Sequence, residues 1–578
     1  MGTISDKLMR IINTKEDIRQ ALISKGYDVP TSIPFKEYAK MILDLPCNAD
    51  SFPDIEGIVA RYSASGLTNE QMAANPAWVD KTGNGHDLQL KNFSWKGMSG
   101  IGGYVVDIDE WGTNSTAAYF ERNSIKITAT FKENASLGLL YHNIKLRQSC
   151  VLKVTGIPEG CDAFLDDRLG NRFYMSEDGV YEIIPSNFLA EALYLSIEKY
   201  PERWYGSKLT VEQLPLYPGA LVFDGVDDWA GCDNLPLLPK EKGYSIIALR
   251  NWITRYDATQ YKRPLISNLD TNDEGAFLIE YRKDENVNDV TGSYNSFTDV
   301  YIDDNNPITW QTSSSYNGQI IKKGTSKSSN KLCICKTYFG QLSKYANAAI
   351  WEIVILDHDA TEEELTKIKD YFVKTYPWLF PDQAWTVTGK TNEDEDRATI
   401  ANITGNGNDL VLSNFGFAEG SGYNEEGEYA GYLVTDGVDD KIVSSSFKMG
   451  KDFTIVGDWK FIDNKKSGTG LVKASSFFIY NTMTGLDLYI NSGSVKNSLD
   501  GIKSINAACS DGRGYDRNWN EILANTGNVV GYGGMLEVSS SGGRFGRIAF
   551  KNFAIYLRIL SKDDCIKAYN YLQTLKAK

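Results

Sequence analysis

The sequence is short of several residue types, and each shortage excludes something. Only three histidines occur, His86, His142 and His358, and no two are neighbours. Histidine-based metal centres and triads with an imidazole base have almost nothing to draw on. Cysteines number 8. Cys47, Cys232, Cys509 and Cys565 stand alone, and Cys333-Ile334-Cys335 is too tight for a zinc knuckle. Reduced thiols are expected rather than a disulfide framework, and Cys150 and Cys161 also read as buried thiols. With 16 prolines in 578 residues, neither collagen nor a long disordered tract fits. No run of 18 apolar residues exists, so no membrane span is expected. The first residues, Met1 to Lys7, carry no apolar core of signal-peptide length. Positive charge is also short. Lys+Arg number 60 and Asp+Glu 75, a net charge of −15, which is the wrong sign for nucleic acid or an anionic membrane.

Aromatic residues are plentiful, at 12% with 33 Tyr and 12 Trp, and they favour β structure. The most informative feature is an internal repeat. Thr82-Gly83-Asn84-Gly85-His86-Asp87-Leu88 and its continuation to Phe93 recur 322 positions later as Thr404-Gly405-Asn406-Gly407-Asn408-Asp409-Leu410, ending at Phe415. Asp224-Gly225-Val226-Asp227-Asp228 recurs as Asp436-Gly437-Val438-Asp439-Asp440, only 212 positions later. The first copy therefore carries an insertion of about 110 residues, the size of one small domain. Each copy closes on an apolar strand and a capped helix. Ala349–Leu356 precedes Thr361, and Phe553–Leu560 precedes Ser561.

Between these landmarks, short β-branched runs such as Tyr244–Leu249 and Phe453–Val456 predict strands. Within the insertion, Ile125, Ile127, Ala129 and Phe131 alternate with polar residues. The fold class expected is mainly β. It has two sandwiches of jelly-roll type, one interrupted by a small immunoglobulin-like β domain. The boundaries are 1–50 for a helical segment, 51–112 plus 218–380 for the first sandwich, 113–217 for the insertion and 381–578 for the second sandwich. The helical segment has a cap at Thr14, a stop at Gly26 and Pro34 opening its last helix. Helices this short bury too little to stand alone.

The motif series Thr-Gly-Asn-Gly-x-Asp-Leu, Asp-Gly-Val-Asp-Asp and a closing strand with an acidic-capped helix resembles concanavalin A-like and laminin-G-like lectin sandwiches. The stretch from Leu8 to Leu45, with Thr14–Ile23 and Ile33–Ile42 joined through Gly26-Tyr27-Asp28-Val29, resembles the head segment of phage tail-fibre and related virion proteins. The resemblance points to phages of Bacteroides-type hosts, including crAss-like ones. The resemblance implies a structural virion protein, a tail or head fibre or appendage, made in the host cytoplasm. Its helical head would hold other virion proteins, its sandwiches would bind host-surface polysaccharide, and three copies would assemble. A purely architectural virion protein and a bacterial surface lectin are the rival readings.

Asp224, Gly225 and Asp228, with Asp436, Gly437 and Asp440, read as structural turns, in which Gly takes a positive φ and Asp caps backbone N–H groups. The same carboxylates suit calcium, a hard cation; no cofactor is otherwise expected. The Thr82–Asp87 loop lacks the following helix that phosphate binding needs. No Glu-x-Asp-x-x-Glu string and no nucleophile elbow occurs, so an enzyme is not expected. Arg250, Arg255, Lys262 and Arg263 read as an exposed sandwich edge. Sugars are held by aromatic faces with polar partners, which makes Trp252 and Trp310 candidates in the first sandwich. In the second, Tyr515, Arg517 and Trp519 lie in a polar, glycine-bearing stretch suited to a recognition loop.

Overall fold

The computed structural model describes Arg19 and residues 52–105, 118–123, 125–132, 140–145, 150–167, 169–183, 192–198, 201–238, 243–253, 262–268, 277–282, 295–298, 307–312, 315–316, 319–320, 330–336, 345–427, 429–445, 447–462, 470–474, 477–481, 485–490, 498–500, 505–516, 519–523, 533–534, 536–538, 540–541 and 544–577. The helical segment expected over 1–50 lies outside these residues, apart from Arg19, which is helical. The chain divides into residues 1–55 with 363–371, and residues 56–362 with 372–578. In the first unit Phe52 meets Tyr371 edge-on, with ring centres 5.0 Å apart.

The second unit is mainly β, in paired sheets. The long strand Asn347–Leu356 is the axis of the first pair. Its neighbours are Ser245–Trp252 on one side, and Leu221–Asp224 and Ile58–Ser63 on the other. The facing sheet runs through Phe277–Arg282, Lys262–Ser267, Leu332–Ile334, Trp229–Cys232 and Leu88–Lys91. Tyr62, Trp78, Phe223, Ile246, Ile350 and Ile353 are buried in the core between them. Ile548–Tyr556 is the matching axis of the second pair, flanked by Thr454–Phe461 and Tyr432–Val434.

The strands between Ala118 and Leu214 pair with one another in two further sheets, one of five strands and one of four. Lys126–Phe131 alternates buried residues with exposed or half-buried ones as its sequence predicts, and Ile127, Ala129 and Phe131 enter the core with Leu152, Val154 and Leu165. Cys150 and Cys161 are both buried, as thiols rather than a disulfide.

The closing strand of the second copy differs from the expected Phe553–Leu560: it runs Ile548–Tyr556, and the chain bends out of the sheet at Leu557 and Arg558. An apolar run carries no phase of its own, so it can be slid along itself without losing its appearance. Hydrogen bonds set the true register. Ser245 Oγ donates to His358 O and accepts from Ala360 N, at 2.8 and 2.7 Å. Thr454 Oγ1 does the same with Arg558 O and Leu560 N, both at 2.9 Å. His358 and Arg558 are thus equivalent, as are Glu352 and Asn552. A β-bulge falls at the same place in both copies, at Leu249/Arg250 and at Asp458/Trp459. The helix after the second strand is capped by Ser561, whose Oγ accepts from Asp564 N. Among the described residues no helix is long and apolar enough to cross a membrane.

Candidate functional site

The two repeated motifs meet at one corner of each sandwich. In the first copy Asp224 Oδ1 accepts from Val226, Asp227 and Asp228 N at 2.7, 3.3 and 3.4 Å, and Asp228 Oδ2 accepts from Asp224 N at 3.1 Å. Asp436 and Asp440 repeat the pattern, beginning with 2.7 Å from Val438 N to Asp436 Oδ1. Gly225 and Gly437 have φ of 75° and 74°. A side chain at Gly225 would also strike Asn347 Cβ at 2.6 Å. Asn92 Nδ2 donates to Asp227 O, and Asn414 Nδ2 to Asp439 O, each at 3.0 Å. The tip residues Val226 and Val438 are exposed.

Beside each turn an aromatic residue takes left-handed backbone geometry, Trp95 at φ 57° and Phe417 at φ 48°. Trp95 stacks on Phe93 with ring centres 4.9 Å apart, and both pack against the core. Arg397 lies over the Phe417 ring at 5.1 Å. Each corner is therefore closed by its own side chains.

The facing carboxylate oxygens of Asp224, Asp227 and Asp228 lie within 4.8 Å of one another, as do those of Asp436, Asp439 and Asp440. Much of their hydrogen-bonding capacity goes to backbone N–H groups. Burial pushes Asp228 up to about 7; a hydrogen bond from Ser99 opposes this, and the Asp224 carboxylate adds to it. Burial likewise pushes Asp440 up to about 6, against hydrogen bonds from the Asp436 backbone and Ser421. At 0% exposure Asp228 has no surface from which to protonate a ligand.

These raised values fix a pH dependence. The folded protein keeps protons that the unfolded chain, with carboxylates near 3.9, has released. The contribution of Asp228 and Asp440 is fully present below about pH 4 and is lost as pH rises through 6 to 7. Asp228→Asn with Asp440→Asn should flatten the fall of Tm between pH 4 and 8. An unchanged profile would remove these two groups as its cause. A rise of Tm in millimolar calcium that the double variant abolishes would reassign the corners to a cation.

The aromatic candidates are placed otherwise than the sequence suggested. Tyr515 is buried because Arg513–Asp516 pairs with Ile505–Cys509 and turns it inward. Trp519 is 2% exposed and packs on Tyr515 and Tyr569, at 6.0 and 5.8 Å. Trp252 belongs to the first core. These three rings offer no face to a sugar. Arg517 lies outside the described residues, and for Trp310 only the backbone is described, opposite Ile247. Trp229 is half-buried, with Lys336 Nζ over its ring at 4.5 Å. Arg250 is buried rather than at an exposed edge, Arg255 lies outside the described residues, and Lys262 and Arg263 are described in backbone only.

A group that the sequence did not bring together lies on the insertion's four-stranded sheet. Arg172 Nε donates to Asp166 Oδ2 at 3.0 Å and its guanidinium covers Phe164 at 4.7 Å. Its Nη1 reaches Tyr174 Oη at 3.4 Å and Glu198 Oε2 at 3.8 Å.

No protein-family profile matches the chain. No curated protein matches it either. Among solved structures, a Trypanosoma rangeli sialidase in complex with the inhibitor DANA matches at TM-score 0.24 and 11% identity, over 39% of this chain and 40% of that one. Trypanosoma rangeli sialidase in another structure matches at TM-score 0.24 and 10% identity, over 79% and 62%. A binding domain of botulinum neurotoxin DC in complex with SialylT matches at TM-score 0.19 and 10% identity, over 57% and 89%. The matches span 40%, 49% and 62% of the length of the first three sialidase chains. The expectation that this chain is not an enzyme is corrected here: the matching structures include enzymes, so that exclusion is withdrawn. Likenesses at this TM-score assign this chain neither an activity nor a substrate.

Proposed function

We propose that this chain is a glycan-recognition protein of a bacteriophage appendage, a tail or head fibre. The observation that carries the reading is the repeated corner. Two sandwiches keep the same turn, the same Asn bridge and the same Ser/Thr staple, while the segments between these fixed points differ. A rigid frame with divergent loops is how recognition surfaces are displayed. The resemblance of residues 8–45 to phage head segments supports attachment to other virion proteins. Three copies would each bring weak sites to one cell surface, and linked weak contacts share a high effective concentration. The net charge of −15 directs the chain away from polyanions and toward neutral polysaccharide.

The test is binding of the full chain to host cells with and without capsule, with free sugar measured in the supernatant. Capsule-dependent binding by a trimer in sedimentation is the expected result. A folded trimer that ignores the capsule would overturn the glycan reading and leave an architectural role. Release of sugar would add hydrolysis to recognition.

A further inference from the structure

We propose that the outward face of the insertion's four-stranded sheet is a binding site for a neutral pyranose, centred on Arg172; this rests on the glycan reading above. Cross-strand register assembles the site. Tyr174 pairs with Phe164, which pairs with Ser196, and Arg172 pairs with Asp166 in the next row of that face. The intervening residues Ala163, Leu165 and Ile197 point the other way, into the core. Phe164 and Asp166 form a buried floor, and Arg172 lies across both.

The chemistry matches a sugar. Arg172, its side chain 43% exposed, is fixed by Phe164 beneath and Asp166 beside it, so its outward N–H groups are already oriented toward a hydroxyl. Glu198, its side chain 41% exposed, is held only at 3.8 Å, leaving its carboxylate to accept from a second hydroxyl. Tyr174, 45% exposed, offers a ring to the apolar side of a pyranose. A separate observation points the same way. Ser196 lies on this face, is 2% exposed, and its hydroxyl has no hydrogen-bond partner among the described residues. Buried polar groups are normally satisfied, and a ligand hydroxyl or a bridging water would satisfy this one once the side chains covering it shift. Two carboxylates against one guanidinium leave the site net negative. It should therefore prefer a neutral sugar to an anionic one.

Saturation-transfer NMR on the full chain tests this, with methyl α-mannopyranoside, methyl β-galactopyranoside and N-acetylglucosamine as neutral probes and N-acetylneuraminic acid as the anionic one. Transfer to at least one neutral probe is expected, weakened about tenfold or more by Arg172→Ala and by Tyr174→Ala. Glu198→Gln, which spares the Asp166 pair, should weaken it with no change in Tm. Transfer unaffected by all three variants would overturn the site and leave the glycan reading standing. No transfer from any neutral probe alongside capsule-dependent cell binding would do the same. A preference for N-acetylneuraminic acid would overturn the assignment to a neutral sugar. Absence of both transfer and cell binding would overturn the site together with the reading it rests on.

Discussion

Glu352→Ala is expected to cost the first sandwich about 3–5 kcal/mol, the usual penalty for stranding one half of a buried ion pair. Glu352 is 0% exposed and Arg61 4%. Arg61 Nε lies 3.2 Å from Glu352 Oε2, and Nη2 lies 3.3 Å from Oε1. Tyr376 Oη donates to the same Oε1 at 2.9 Å. Removing the carboxylate takes the paired charge from a buried guanidinium and the 2.9 Å acceptor from the Tyr376 phenol, whose other partner, Ser63 Oγ, lies at 3.4 Å. The pair as a whole contributes far less than its breakage costs, because desolvating two charges offsets most of their attraction. Arg61→Met with Glu352→Leu should therefore recover most of the loss. The second sandwich shows that the frame tolerates neutrality, since Asn552 stands where Glu352 does and donates to Leu572 O at 3.3 Å. Denaturant unfolding of the full chain, following the first sandwich, measures both variants. A single-variant cost below about 1 kcal/mol would mean that the pair behaves as a solvated surface bridge.

The duplicated frame was legible in the sequence because polar side chains set it. Asp80 and Asn402 accept from Thr82 N and Thr404 N, at 3.0 and 3.1 Å. Asp87 and Asp409 accept from residues 80 and 402, both at 2.8 Å. Each of these contacts spans a few residues, so a fixed local spelling fixes a fixed local shape. Apolar strands carry no such spelling, so the sequence alone does not fix where Ile548–Tyr556 begins and ends. The candidate site was least legible. Asp511-Gly512-Arg513-Gly514-Tyr515 is polar and glycine-bearing, like a loop, but a strand pairing turns its aromatic ring inward. Arg172, Asp166, Phe164 and Glu198 come from three strands, and only the register between strands brings them together. Sequence spacing does not encode that register.

Trp519→Ala should cost the second sandwich about 3–5 kcal/mol, the range for emptying an aromatic site in a core. The ring is 2% exposed, sits 6.0 Å from Tyr515, and meets Tyr569 of the closing helix edge-on at 83°. It therefore ties the strand Arg513–Asp516 to that helix. Trp519 also has φ 61°, where a side chain other than glycine is strained. The turn holds it there: Trp519 N donates to Asp516 O at 3.0 Å, and Asp516 Oδ1 accepts from Asn520 N at 2.8 Å. Alanine would empty the core and keep the strain. Glycine would empty the core and relieve it, so Trp519→Gly should be more stable than Trp519→Ala by about 1 kcal/mol. A recognition-loop tryptophan would behave in the opposite way, with stability changes within about 0.5 kcal/mol and a direct loss of binding. Unfolding of both variants, with cell binding measured per folded molecule, separates the two roles. Unchanged stability with lost binding would return Trp519 to the ligand surface.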